Sequence, residues 1–267
     1  MHVAEVSAYG GPEVLRMAER PDPSPAPGEV VVRIRATDVN PTDVTLRAGH
    51  HPMAARLDPP FVPGWDLAGE VTAVGSDVSG FAPGDRVVGM IPFGRIGGRV
   101  GAYAQAAAVD PAWLAPLVSD IDNPTAATLP LNALTARQAL DLIALPPEST
   151  LLVTGASGAV GGFAVQLAAR DGYRVLAQAS DADDEWVASL GATEVLPRST
   201  DLATVGPVDA VLDAVPLGPD CTATLREGGI AVFTRPPRPA EPPRDIRFET
   251  VLVQSNAEQL RALTADL

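Results

Sequence analysis

An apolar run, Leu151-Leu152-Val153-Thr154, ends in seven consecutive small or short side chains: Gly155, Ala156, Ser157, Gly158, Ala159, Val160 and Gly161. The next residues, Phe163-Ala164-Val165-Gln166-Leu167-Ala168-Ala169-Arg170, read as a helix. A strand, a glycine turn and a helix in that order bring unpaired backbone N–H groups to the positive end of a helix dipole. Such a point suits a pyrophosphate, so a nucleotide cofactor is the first chemistry this chain suggests. Small residues let the backbone approach the ligand and let the helix pack on its strand. An ordinary βα turn that uses glycine only for tight packing has the same composition.

The elements around this turn decide how it is read. From about residue 120 the chain alternates helix and strand. Helical spacing of Leu134, Gln138, Ala139 and Leu142 is followed by strands expected at 150–154, 173–178, 193–196, 208–212 and 229–233. That alternation predicts a parallel sheet wound on both faces, with the glycine turn after its first strand, where a nucleotide site belongs. Residues 1 to about 118 follow a different pattern. Short strands at 29–36, 67–75 and 85–89 are separated by turn signals, which predicts a small β-barrel or a related β-rich fold. One short helix is expected to start at Pro41 behind an Asn40 cap and to stop before Gly49.

Composition narrows the class. With 267 residues, 46% hydrophobic and 19% charged, the chain is globular and long enough for one large or two ordinary domains. A net charge of -14 argues against a nucleic-acid partner, because a polyanion would be repelled. No apolar run reaches membrane-spanning length, and the amino terminus opens as a strand without a signal-peptide pattern. A soluble, cytoplasmic protein that engages no membrane is expected. Cys221 is the sole cysteine, which excludes an intrachain disulfide and a cysteine-rich zinc lobe. Prolines gather at Pro21 to Pro27 and Pro236 to Pro243, where they stiffen loops.

Six ordered segments then point one way. They are Val39-Asn40-Pro41-Thr42-Asp43, Pro63-Gly64-Trp65-Asp66-Leu67-Ala68-Gly69, the stretch from Val74 to Val87, Gly101-Ala102-Tyr103-Ala104, Leu129 to Ala136, and Thr154 to Gly161. Together they resemble the medium-chain dehydrogenase/reductase superfamily, and within it the zinc-independent quinone oxidoreductase branch. The resemblance implies an α/β chain made of a GroES-like β-barrel domain at 1–118, a Rossmann domain at 119–255, and a shortened carboxy-terminal helix at 256–267. It implies hydride transfer from NAD(P)H to a quinone, an enone, or a related activated alkene or carbonyl, and a homodimer acting on a small molecule.

In such relatives Asn40, Asp43 and the position of His51 line the substrate cleft, Thr135 lies beside the nicotinamide, and a serine such as Ser180 meets the adenosine end. His51 stands where the branch commonly has tyrosine. It is either a donor of a hydrogen bond or proton to a developing enolate, or a solvated loop residue. Asn40 is a helix cap, a substrate-amide donor, or both, while Tyr103 is read as a packing residue. No metal is expected. Zinc-dependent relatives carry Cys and His at the positions of Asn40 and Trp65, neither of which is a useful zinc ligand, and the adjacent His50 and His51 make a poor pair. The resemblance favours NADP, with NAD still open. Ser180 is followed by Asp181, Asp183, Asp184 and Glu185, which oppose a 2′-phosphate unless Arg174 or a more distant arginine compensates.

Some features depart from the family pattern. The chain ends at Leu267, inside a helix starting near Asn256, before a segment that relatives return to their first domain. Its loss is expected to expose apolar barrel surface unless a partner chain covers it. Pro216 stands where a glycine is usual, which puts close backbone approach there in doubt, and the loop Phe233 to Pro237 is bulkier than usual. These departures keep open a catalytically degenerate member that serves as a non-redox pathway or binding protein. A carrier-tethered enoyl thioester is a third option that an acidic surface does not favour.

Overall fold

The computed structural model describes residues 1–93, 96, 101–118, 120–236 and 245–265. Most of the expected proline cluster at 236–243 lies outside the described residues. The chain divides into two packing units, one made of residues 1–134 and 254–267 and the other of residues 135–253.

The first unit is β-rich. Strands β1 (His2–Val6) and β2 (Leu15–Glu19) form an antiparallel pair. Next come β3 (Val30–Ala36), helix α1 (Pro41–Arg47), β4 (Asp66–Val74), β5 (Arg86–Met90), β6 (Ala106–Val109), β7 (Leu114–Pro116) and the short helix α2 (Asn123–Ala127). Five of these strands form one antiparallel sheet in the order β6-β3-β4-β5-β7. Val30, Val32, Leu67, Val71, Val87, Ile91 and Leu114 meet in its core. In β3 Val30, Val31 and Val32 are all buried, and the second half alternates, with Arg33 and Arg35 exposed on either side of the half-buried Ile34.

Helix α3 (Pro130–Ile143) opens on Pro130, which suits a first helical turn because its missing N–H would have no partner there. The division between units falls within α3. The second unit continues with β8 (Thr150–Thr154), α4 (Ala159–Arg170), β9 (Arg174–Ala179), α5 (Asp184–Ser189), β10 (Glu194–Pro197), β11 (Val208–Asp213), β12 (Leu225–Phe233) and β13 (Arg247–Thr250). All six strands are parallel, in the order β10-β9-β8-β11-β12-β13. Counted from β8 this is 3-2-1-4-5-6, the doubly wound Rossmann order. Near-continuous apolar runs such as Leu151-Leu152-Val153 fit strands covered on both faces. Helix α4 presents Gly161, Ala164, Val165 and Ala168 inward at helical spacing.

The last helix, α6 (Ala257–Ala265), groups with the first unit. It packs on β7, buries Leu260 and Leu263, and is preceded by Ser255, whose hydroxyl donates to the Met90 carbonyl at 2.6 Å. The apolar face of α6 is thus buried against the first unit. The packing division at 134/135 also lies later than the expected 118/119 boundary. Helix α2 and the start of α3 lie on the first unit, with α2 packed on β3 and β4.

Candidate functional site

The turn between β8 and α4 leaves the carboxyl end of the sheet's first strand, beside β11, where the winding of the sheet reverses. In doubly wound sheets that crevice is where ligands bind. Gly155 has φ +63°, a left-handed conformation that costs an L side chain energy. A Cβ on Gly161 would lie 2.2 Å from the Gly155 carbonyl oxygen, so only glycine lets α4 start this close to the turn. The turn is closed by Gly158 N–H donating to the Gly155 carbonyl at 2.9 Å and by Ala156 N–H donating to the Gln178 carbonyl at 2.9 Å. Gly158 caps α4 without any side-chain hydrogen bond, so the positive end of the helix is not neutralised by the protein itself. These residues fit a dinucleotide pyrophosphate: the backbone can approach closely, and the donors and dipole favour an anion.

Ser180 belongs to this constellation. Its N–H donates to the Ser157 hydroxyl at 3.1 Å, which ties the end of β9 to the glycine turn. Ser180 starts the 3-10 turn Asp181–Asp183 without a side-chain cap bond. Thr135 is buried on α3. Beside the turn, Asp213 at the end of β11 accepts from the Thr154 hydroxyl at 2.7 Å and from Gly218 N–H at 2.9 Å. Burial raises its pKa, against these hydrogen bonds. Asp213 thus folds the Pro216 loop onto itself and brings Val215 over Gly155. A Cβ on Gly155 would meet Val215 Cγ1 at 2.5 Å.

The remaining candidates lie in the first unit. Asn40 N–H donates to Asp43 Oδ2 at 2.9 Å across the first turn of α1, and Asn40 Nδ2 donates to Asp66 Oδ2 at 2.7 Å. The other oxygen of Asp66 accepts from Leu131 N–H at 2.7 Å, so Asp66 caps the start of α3. Burial holds Asp66 well above the usual carboxylate range, with Asp38 and Asp43 adding to the effect. Asp43 is pushed up to about 6 by burial, against the pull of the Asn40 amide. Its Oδ1 is buried without a hydrogen-bond partner. The structure thus joins Asn40 to Asp43 and, through Asp66, to Leu131 at the start of α3.

His51 stands apart from that pair. It begins a 3-10 turn at Pro52–Arg56, and its Nδ1 accepts from Met53 N–H at 3.2 Å. An acceptor at Nδ1 is unprotonated, so the ring proton sits on Nε2. Burial lowers the His51 pKa, which keeps the ring neutral at pH 7. The imidazole lies 6.3 Å from the Trp65 ring, which in turn packs 5.2 Å from Phe93. His51 is therefore a half-buried residue packed on an aromatic wall. Tyr103 lies against Gly64, and its hydroxyl is buried without a partner. Burial, reinforced by Asp43, raises its pKa.

Asp66 as a tertiary cap and Asp213 as a loop anchor were not singled out from the sequence. Asp66 acts on a residue 65 positions away, so no local spacing reports it. Asp213 had one usable sign, an acid closing an apolar strand. Among the described residues, no cluster of three or more His, Cys, Asp or Glu has metal-holding geometry, and no helix is long and apolar enough to cross a membrane.

Comparison with known proteins adds the following. Residues 26–119 match the alcohol dehydrogenase GroES-like domain. The chain is 37% identical over 209 residues to the chloroplastic quinone-oxidoreductase QR1 of Triphysaria versicolor, a match covering 75% of this chain and 62% of the relative. Thus the chain spans less than two thirds of that curated relative's length. A quinone oxidoreductase structure from Coxiella burnetii superimposes with a TM-score of 0.88 at 29% identity, over 99% of this chain and 86% of that one. An alcohol dehydrogenase superfamily structure from Novosphingobium aromaticivorans gives 0.83 at 31% identity, over 100% and 81%.

Proposed function

The chain belongs to the medium-chain dehydrogenase/reductase superfamily and is quinone-oxidoreductase-like within it; from that premise we propose that it reduces quinones, enones or related activated alkenes and carbonyls with NADPH, without zinc. The observation that carries this reading is the glycine turn at the reversal of strand order, with φ +63° at Gly155 and an uncapped α4 terminus.

Gly155 to Gly161 would hold the pyrophosphate, Ser180 the adenosine end, and Thr135 the nicotinamide side. When bound, the cofactor supplies the hydride. The protein's own chemistry is to stabilise the negative charge that develops on the acceptor oxygen. His51 suits that task as a neutral Nε2–H donor. Met53 fixes its tautomer, and burial keeps it from carrying a charge of its own. The pair Asn40 and Asp43 sets the start of α1, with one Asn40 amide hydrogen committed to Asp66. That commitment supports a zinc-free site, since the amide at the usual thiolate position is already engaged. The protein is read as a cytoplasmic homodimer acting on a free small molecule, an assembly that sedimentation of the purified chain tests.

The decisive assay follows the loss of the reduced-nicotinamide absorbance band with a panel of quinones and short enones. Turnover with at least one acceptor is expected. No turnover, combined with no cofactor binding by fluorescence, would overturn the reductase reading.

A further inference from the structure

The sequence leaves four acids after Ser180, with Arg174 or a more distant arginine as the cation that would balance a 2′-phosphate. The strand register removes one candidate and supplies another. Arg174 is the first residue of β9 and Ser180 follows its last, so about 20 Å of extended chain separates them. Arg174 lies at the amino end of the sheet, 4.0 Å from Glu194, which is the first residue of β10. It faces the wrong end of the molecule for the glycine turn.

Arg198 lies at the right end. Strands β9 and β10 run parallel and their last paired residues are Ala179 and Pro197, so Ser180 and Arg198 are the residues that follow the two strands at the same end. Neighbouring strands are roughly 4.8 Å apart, so both residues leave adjacent strands at the end that carries the glycine turn. The Gln178 side-chain amide donates to the Arg198 carbonyl at 3.3 Å and fixes the backbone there. Arg198 is exposed, and among the described residues it takes no part in the ion pairs that engage Arg20, Arg35, Arg137, Arg174, Arg226 and Arg247. Ser180 itself is neutral, where a carboxylate would favour a free 2′-hydroxyl and repel a phosphate.

We infer that Arg198 is the residue that selects NADPH over NADH, by pairing its guanidinium with the 2′-phosphate beside Ser180. This rests on the proposed cofactor site. A planar guanidinium suits a phosphate dianion, and the neighbouring acids make such a cation necessary. Asp181 and Asp183 occupy the 3-10 turn, and Asp184 and Glu185 the first turn of α5, where they favour the helix dipole. Without Arg198 their field would oppose the phosphate unbalanced.

Calorimetric titration of the whole chain with 2′,5′-ADP, ADP, NADPH and NADH tests the assignment without any turnover. The wild type should bind 2′,5′-ADP and NADPH more tightly than ADP and NADH. Arg198→Ala should lose on the order of tenfold or more for the phosphorylated pair, with ADP and NADH within about twofold. Arg198→Lys should keep part of the difference, and added salt should shrink it. Equal binding of both pairs by the wild type, or equal losses in Arg198→Ala, would overturn the inference while leaving the cofactor site standing. Failure of all four ligands to bind would overturn the site and the inference together.

Discussion

His51 combines a fixed tautomer, a lowered pKa and an aromatic wall, so its usable property is a neutral Nε2–H. Replacing it with phenylalanine keeps the packing on Trp65 and removes the donor. His51→Phe should lower kcat on the order of 100-fold while the Kd for NADPH stays within about twofold. If His51 is the donor we propose, its neutral ring is the active form and wild-type kcat should not fall between about pH 7 and pH 8. A tenfold loss per pH unit across that window would mean that an imidazolium is the donor. Asp43 supports a second expectation. Its carboxyl ionises near 3.8 in the unfolded chain and at about 6 in the folded one. Between those values the folded protein holds a proton that the unfolded chain has released, so stability from this group is greatest at low pH. It declines as pH rises through 6, by roughly 3 kcal/mol in all. Asp43→Asn retains an acceptor for the Asn40 amide and has nothing to ionise. Urea unfolding at a series of pH values should show a flatter profile for the variant between about pH 4 and pH 7. Identical slopes would show that Asp43 is an ordinary exposed-type acid.

At the scale of elements, the β8 turn and α4 show how closely the glycines are tied to geometry. Gly161→Ala places a methyl 2.2 Å from the Gly155 carbonyl, against backbone that cannot rotate away. Overpacking of this kind costs about 1–3 kcal/mol, which corresponds to a Tm lower by roughly 2–10 °C. NADPH affinity should fall at least tenfold as the cradle opens, measured by cofactor fluorescence on protein that is still folded. Unchanged affinity would separate the turn from the cofactor. The same region shows what a sequence can and cannot disclose. The apolar run before Gly155 and the helical spacing after it are local signals, and both elements form where that spacing predicts them. Helix α1 likewise starts at Pro41 behind Asn40. Asp66 capping α3 and Arg198 sharing a strand end with Ser180 depend on tertiary contact or on strand pairing. No periodicity carries them.

At the scale of the whole molecule, the change from turn-separated strands to alternating helix and strand marks two units, each closed around its own core. The return of α6 to the first unit was not legible, because a nine-residue helix reveals which face is apolar but not which surface it will cover. The proposed function draws on the glycine turn of the second unit and on the His51 donor of the first. The central claim is that hydride passes from a nicotinamide to an activated acceptor. The most direct measurement is mass analysis of the product after incubating the purified chain with a short enone and NADPH carrying deuterium at both C4 positions. The account predicts a saturated ketone containing one deuterium, with matching loss of the reduced-nicotinamide band. Unchanged enone and undiminished NADPH, from folded protein tested across the acceptor panel, would contradict it.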